Sequence, residues 1–494
     1  MRRFHEGRLL RSTINQNVVR AQYAVRGLLA TRASEIKQVL AANPSAFPFE
    51  EVIELNIGNP QIFSPKTVSL TRNYLAELIL ACKTSRFSKL ETEEIPHDLN
   101  SELSSIDSLI REFDIQNKTP SSGLEFVRKQ VARFIEKRDL LPSDPANIVL
   151  TNGASAGIST ILGLLLQPPN SGIMLSVPQY PLYSATAELN SASVVPYFLD
   201  EEDGWNIDIP AARAEYDAAR EKGIEVRAIA LINPGNPTGA IFPREKMAEI
   251  LKFAHERNLV VLADEVYQEN VYGATPWVSF KKVLSEMSPD IRNSLPLVSF
   301  HSISKGVFGD CGLRSGYYEL VNVEPEAVEF IHNIEKGSRP NIAGQIILMV
   351  KSALLTCDFE HIPGFKDIMV NARKEHDEIF QSYKNRAALL EDCIRETTGM
   401  SSAPIDGALY AFPRLDLPKK FIDRARSLGN LPDTQYCLDL LETKGICTVP
   451  GNGFGQKEGT YHFRTTLLCA PDEKFQKSCA MIKEFQHEML EKFS

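Results

Sequence analysis

The sequence lacks any apolar run near the ~20 residues that a membrane-crossing helix requires. The best candidate, Ile158 to Leu166, is too short and reads as a buried helix. Positive charge is not in excess either: 54 Lys and Arg stand against 63 Asp and Glu, a formal net charge of -9. That argues against broad electrostatic binding of nucleic acid or anionic membranes. Cysteines are few. Cys82, Cys311, Cys357, Cys393, Cys437, Cys447, Cys469 and Cys479 contain no C-x-x-C pair. This is the pattern of reduced thiols in a cytosolic protein, and no metal-ligand set is assigned. Repeats and low-complexity linkers are absent.

The start, Met1 to Ser12, carries Arg2, Arg3, Arg8 and Arg11 against Glu6. Two readings fit it, a solvated tail or a mitochondrial presequence. A patterned helix from about Ile14 leaves little room for a cleavable leader, so a cytoplasmic location is expected.

What is present is an ordinary soluble balance, 43% hydrophobic and 24% charged, in a chain of 494 residues that can bury two cores. Residues 14–40 read as helix, and 52–57 as a short strand ended by Gly58-Asn59-Pro60. Residues 90–106, rich in Glu, Asp and Ser, read as a solvated loop. From about residue 124, helix and strand alternate. Gly123 to Lys137 is an amphipathic helix. Ile148 to Leu150, Ile173 to Val177, Val226 to Ile232, Leu259 to Leu262 and Pro296 to Phe300 are apolar runs suited to buried strands. Such βαβ units predict an α/β fold with a mostly parallel sheet flanked by helices. After about 345, long helices (Gln345 to Leu355, Asn371 to Arg395) precede short strands near Ala408 to Phe412 and His462 to Thr465. The expected division is an N-terminal segment, 1–60, that joins a small α+β domain, 346–494, with a large domain over 61–345.

In an open parallel sheet, ligands bind beyond the carboxyl ends of the strands. The polar residues at those ends are therefore the informative ones. Asp264 closes the run from Leu259, with Tyr267 three residues on. Alone, Asp264 would read as a helix cap. The run to Phe300 leads into His301-Ser302-Ile303-Ser304-Lys305-Gly306. A loop lysine is usually just solvated, but one at a strand end beside hydroxyls can form a Schiff base once burial lowers its pKa. Arg314, nine residues later, can offer a fork to a phosphate. Asn233-Pro234-Gly235-Asn236-Pro237-Thr238-Gly239 is a rigid turn that fixes the direction of the Asn236 amide. Gly153-Ala154-Ser155-Ala156-Gly157 opens a helix and exposes amides to an anion. Tyr180, in Pro178-Gln179-Tyr180-Pro181-Leu182-Tyr183, offers a ring for stacking.

Singly these signals are weak; together they make one set. A phosphate takes the amides of Ala154, Ser155 and Ala156 with Ser302, Ser304 and Arg314. An aromatic ring takes Tyr180, its nitrogen Asp264, its phenolic oxygen Asn236 and Tyr267, and an aldehyde Lys305. The ligand with those parts is pyridoxal 5'-phosphate.

The same residues resemble those of the fold-type I aminotransferases: Asn-Pro-Gly-Asn-Pro-Thr-Gly, Ala-Asp-Glu-Val-Tyr and Ser-x-Ser-Lys occur in order and at fitting separations. Across nearly the whole chain the sequence is similar to the alanine aminotransferases. Ile14 to Val18, Tyr23 to Gly27, Leu55 to Gln61, Thr151 to Ile158, Asp264 to Asn270, Gly445 to Gly451 and Tyr461 to Thr466 carry that likeness. The resemblance implies that Arg464 grips the substrate carboxylate, with Tyr23 and the backbone of Gly58 in the pocket. It implies transfer of the amino group of L-alanine to 2-oxoglutarate, giving pyruvate and L-glutamate, in a homodimer. Glutamate with glyoxylate, and a lyase or synthase on the same scaffold, stay open as alternatives. A cofactor-binding regulator would need a DNA-binding region that the charge and the length before residue 14 do not supply. Lys118 stands where the family usually has a tyrosine that reaches the neighbouring subunit's cofactor phosphate, so that role is not carried over.

Overall fold

The computed structural model describes residues 14–21, 27–63, 121–307, 309–335, 341–356 and 365–494. Expectations for the Arg-rich start, Tyr23, Cys82, residues 90–106, Lys118 and Cys357 lie outside these residues. The chain forms two compact units: Met1–Gly58 with Ile158–Pro296 and Tyr383–Ser494, and Asn59–Gly157 with Leu297–Ser382.

In the first unit, the strands Val260–Asp264, Glu225–Ile232, Ser171–Val177 and Ser193–Asp200 pair in that order, all parallel. Asn206–Ile207 adds an antiparallel edge to the last of them. The apolar runs form strands because both faces are covered. Val261, Leu262 and Ala263 are fully buried, and such burial contributes about 1.5–3 kcal/mol for a Val or Leu side chain. The helix Arg244–Glu256 buries Met247, Ile250, Leu251 and Ala254 at three- and four-residue spacing. Helix Ile209–Glu221 starts at Asp208, whose carboxylate accepts from Ala211 N–H at 3.0 Å.

The same unit holds a three-stranded antiparallel sheet in which Phe463–Thr466 lies between Tyr410–Ala411 and Val449–Pro450. Helix Pro432–Lys444 ends on Gly445 in the left-handed region, φ +68°. Gly445 then accepts from Ile53 N–H at 2.8 Å, and Ile53–Glu54 pairs parallel with Ile446–Cys447. The early segment is thereby built into the late part of the chain.

In the second unit, Gly316–Val321 lies between Ile148–Thr151 and Leu297–Ser302 and pairs antiparallel with both. Helix Glu125–Asp139 packs on Ile342–Thr356 through Val127, Val131, Ile135, Ile347 and Ala353.

One expectation, the mostly parallel sheet, is met with a refinement, and one needs correction. The parallel reading holds in the first unit, whereas these three strands of the second unit are antiparallel. Among the described residues, the chain after Ser302 returns through a loop whose helical structure is one short 3-10 turn, Cys311–Leu313, and not a crossover helix. Residues 14–40 are not one helix: Gln16–Arg20 stops at the extended Ala21, and Leu28–Ala42 starts after Gly27, its N-cap. A glycine inside a helix costs about 1 kcal/mol, and here it sits at the boundary instead.

Candidate active site

In the first unit, Asp264 ends its strand 5% exposed. The Tyr183 hydroxyl donates to its Oδ2 at 3.0 Å, and Val266 N–H donates to Oδ1 at 3.4 Å. These donors favour the anion. Burial, and then the charge of Asp264, push the Tyr183 hydroxyl well above its ordinary range, so Tyr183 stays protonated and keeps donating.

The Asn233–Gly239 turn is pinned by its own first side chain. Asn233 Oδ1 accepts from Phe242 N–H at 3.0 Å, while its carbonyl accepts from Trp277 Nε1 at 3.0 Å. Gly239, at φ +74°, has the backbone oxygen of Tyr410 2.7 Å from where a Cβ would stand. So held, Asn236 aims both amide atoms. Nδ2 donates to the Tyr267 hydroxyl at 3.4 Å, and Oδ1 accepts from Arg464 Nη1 at 3.1 Å. Tyr267 is buried, and burial first, then Tyr410, push its hydroxyl up, against the opposing pull of Arg464. It is a neutral donor at any ordinary pH. Tyr180 is half-buried and close enough to act on the same hydroxyl.

Arg464 is 1% exposed. Its Nη2 donates to the carbonyl of Asn56 at 3.0 Å, and its Nε has no hydrogen-bond partner. The guanidinium lies between two rings, Tyr410 at 4.0 Å and Phe454 at 4.9 Å. Among the described residues no carboxylate pairs with it. A buried cation without an anion is costly, and a planar fork of donors suits a carboxylate. The half-buried Gly58 meets the tip of Tyr410: a Cβ there would lie 1.7 Å from the hydroxyl.

In the second unit, half-buried Lys305 follows the strand Leu297–Ser302 in a heavily braced loop. Ser302 Oγ donates to the Ser315 carbonyl and accepts from Ser304 N–H, both at 3.1 Å. Its one hydrogen is therefore used within the loop, so Ser302 braces rather than donates outward. Asp310 N–H donates to the Ile303 carbonyl at 2.8 Å. Buried Lys351 donates to the same carbonyl at 3.3 Å and pairs with Asp310 Oδ2 at 3.2 Å. Arg314, in the left-handed region at φ +47°, donates from Nη1 to Ser304 Oγ at 3.5 Å and from Nη2 to the Asn152 carbonyl at 3.2 Å. Gly153, at φ +81°, precedes the helix Ala154–Leu165, and a Cβ there would lie 2.6 Å from Arg314 Nη2. Ala154, Ser155 and Ala156 form the first turn of that helix; Ala156 N–H donates to Gly153 O at 3.2 Å.

Each unit's donor set fits one part of pyridoxal phosphate. Guanidinium, hydroxyl and helix amides form a cradle that even one methyl at Gly153 would crowd, which suits a dianionic phosphate. A buried anion, an amide and a neutral phenol suit a protonated ring nitrogen and a phenolic oxygen.

The sequence did not single out Tyr183, Tyr410, Phe454, Asn56 or the Lys351–Asp310 pair. Tyr183 stands in the same short run as Tyr180, three residues on, but inside the helix Leu182–Leu189 that Tyr180 precedes. Tyr410 lies in a predicted strand and has no local signal of its own. Among the described residues no cluster of His, Cys, Asp and Glu could hold a metal ion, and no helix is long and apolar enough to cross a membrane.

Comparison with known proteins gives a consistent result. The family profile described as Aminotransferase class I and II matches residues 104–482. The probable mitochondrial alanine aminotransferase of Dictyostelium discoideum is 42% identical, over 99% of this chain and 91% of that protein. Glutamate–glyoxylate aminotransferase 1 of Arabidopsis thaliana is 40% identical, over 93% of this chain and 92% of its own. Alanine aminotransferase 1 of Bos taurus is 38% identical, over 98% and 95%. Among solved structures, the alanine aminotransferase of Pyrococcus furiosus superposes with a TM-score of 0.72 at 23% identity, covering 96% of this chain and 98% of that one. This last likeness concerns the fold.

Proposed function

The chain belongs to the class I and II aminotransferases, pyridoxal-phosphate enzymes, and from that premise we propose that it moves the amino group of L-alanine to 2-oxoglutarate. The observation that carries the reading is Arg464, a buried guanidinium 4.0 Å and 4.9 Å from two rings that pairs with no carboxylate among the described residues. Both proposed substrates bring a carboxylate to such a group, and relatives named alanine aminotransferases align over nearly the full chain.

When bound, the cofactor supplies a conjugated ring that takes up the electrons released at the amino acid's α-carbon. Arg464 binds the substrate carboxylate through its fork and fixes the α-carbon. Lys305 Nζ would hold the cofactor at rest, then take the proton from the α-carbon and return it to the cofactor carbon on the far side of the amino nitrogen, as base and then acid. Asp264, kept anionic by Tyr183, holds the ring nitrogen's proton. Asn236 and Tyr267 hydrogen-bond the phenolic oxygen, and Tyr180 stacks on the ring. Ser304, Arg314 and the first-turn amides of Ala154 and Ser155 hold the phosphate, with Ser302 bracing the loop and the Ala156 N–H turned to the Gly153 carbonyl. Gly58 lends backbone to the substrate side. A homodimer, a cytoplasmic location, and the division into 1–60, 61–345 and 346–494 belong to the same proposal.

One alternative has support of its own, the 40% identity to a glutamate–glyoxylate aminotransferase. Steady-state kinetics of the purified holoenzyme with alanine, glutamate, aspartate and glycine against 2-oxoglutarate, pyruvate and glyoxylate decides between them. Alanine with 2-oxoglutarate is expected to give the largest kcat/KM. A clear preference for glutamate with glyoxylate would replace the proposal by that alternative. Lys305→Ala is expected to lose turnover and the visible absorbance of the lysine-bound cofactor. Near-normal transamination by that variant would remove Lys305 from its role.

A further inference from the structure

Tyr410 touches three groups of the proposed site at once, and no part of the proposed mechanism uses it. It is 2% exposed, on a short strand whose partner carries Arg464: Tyr410 pairs with Thr466, and Ala411 with Thr465. Its ring face lies 4.0 Å from the Arg464 guanidinium carbon. Its ring stands edge-on to that of Tyr267, centroids 6.0 Å apart at 81°, and the two hydroxyls share a hydrogen bond. Its hydroxyl fills the space that a side chain at position 58 would need.

These contacts close a circuit. Arg464 donates to Asn236 Oδ1, and Asn236 Nδ2 donates to the Tyr267 hydroxyl. The Tyr267 hydroxyl meets that of Tyr410, whose ring returns to Arg464. The backbone secures it as well. Gly407 N–H donates to Gly239 O at 2.7 Å, so the segment carrying Tyr410 is tied to the turn carrying Asn236.

Each part of Tyr410 has its own physical task. The ring's electron-rich face attracts the guanidinium and fixes its plane, which a bidentate carboxylate bond requires. The hydroxyl is a second hydrogen-bond partner for Tyr267. That phenol has one hydrogen and rotates freely unless its surroundings direct it. We propose that Tyr410 is a positioning residue that sets two groups together: its ring orients the Arg464 fork, and its hydroxyl directs the Tyr267 hydroxyl toward the cofactor's phenolic oxygen. The inference rests on the roles given above to Arg464 and Tyr267.

The two tasks separate in Tyr410→Phe, which keeps the ring, and Tyr410→Leu, which keeps neither. Two readouts besides turnover apply to each holoenzyme: the pH midpoint of the visible absorbance of the lysine-bound cofactor, and the Kd for succinate, an unreactive dicarboxylate, from its effect on that absorbance. Weaker hydrogen bonding to the phenolic oxygen raises the midpoint. Tyr410→Phe is expected to raise it by about half a unit or more while leaving the succinate Kd within about threefold. Tyr410→Leu is expected to raise it likewise and to weaken succinate about tenfold, as loss of a desolvated cation–π contact would. The ring's task is refuted if Tyr410→Leu binds succinate as the parent does, and the hydroxyl's task if Tyr410→Phe keeps the parent midpoint. Should Tyr410→Leu fail to fold, Tyr410→Met takes its place, with the same expectations. If the parent itself shows no visible absorbance that responds to succinate, the reading of the site fails, a result distinct from failure of the Tyr410 proposal.

Discussion

Tyr183 and Asp264, 81 residues apart in the chain, meet in a 3.0 Å hydrogen bond between buried groups. The phenol's task is to keep the carboxylate anionic where water cannot. Tyr183→Phe removes one donor from a charged acceptor, a bond of about 1.5–3 kcal/mol, so kcat/KM is expected to fall roughly 10- to 100-fold. Because burial and Asp264 hold the Tyr183 hydroxyl well above its ordinary range, it does not titrate across neutral pH, and the loss is expected to be the same from about pH 6 to 9. A pH profile of kcat/KM for the variant checks both claims. A loss confined to high pH would show that Tyr183 acts as something other than a fixed donor.

Arg464→Lys is expected to lower kcat/KM by about a hundredfold or more, mainly through KM for both the amino acid and the keto acid. An ammonium cannot reproduce a fork that already uses Nη1 on Asn236 and Nη2 on Asn56 and stands 4.0 Å over the Tyr410 ring. Equal KM values in parent and variant would exclude Arg464 as the carboxylate clamp.

Lys351→Met leaves the Asp310 carboxylate buried beneath the Lys305 loop without its cation. The expected cost is about 3–5 kcal/mol, read as a lower urea midpoint at unchanged slope. Adding Asp310→Asn removes the stranded charge and should recover a large part of that loss. If the double variant is as unstable as the two single losses summed, the pair is not coupled.

The thiol of Cys447 is expected to resist iodoacetamide at pH 8 in the folded protein and to react on unfolding. Burial first, and then the charge of Glu54, push it up to about 12, with Lys37 opposing. The reactive thiolate is then about one part in ten thousand at pH 8. The sign of the stability effect follows: the folded thiol binds its proton more tightly than the unfolded one. Its contribution is complete below the unfolded value of about 8.5 and is lost as pH rises toward 12. Mass spectrometry of alkylated peptides, native against unfolded, checks the labelling. Rapid modification of Cys447 in the native protein would contradict the burial.

What the sequence made legible was local. Asp264, Asn236 and Lys305 each follow a continuous apolar run, and a strand buried on both faces announces its own end. The rigid Asn233–Gly239 turn needed only its prolines and glycines. Pairings across long separations were not legible. Tyr183 finds Asp264, and Tyr410 finds Arg464, because strand register and loop closure bring them together, and neither residue's neighbours in sequence record that. The antiparallel strands of the second unit were hidden for a related reason, since an apolar run has no direction. Ser302 shows a further limit: a hydroxyl near a lysine looks outward in the sequence, but the fold turned it onto Ser315.

The bond from Arg464 to the carbonyl of Asn56 spans 408 residues. A ribosome adding roughly 5–20 residues per second makes Asn56 about 20–80 s before it makes Arg464. For most of that interval the parallel partner of Ile53–Glu54, strand Ile446–Cys447, is missing as well. The early segment therefore waits, an unpaired strand that a chaperone or another nascent copy could capture, and the enzyme gains its grip on substrate only after Arg464 has been made.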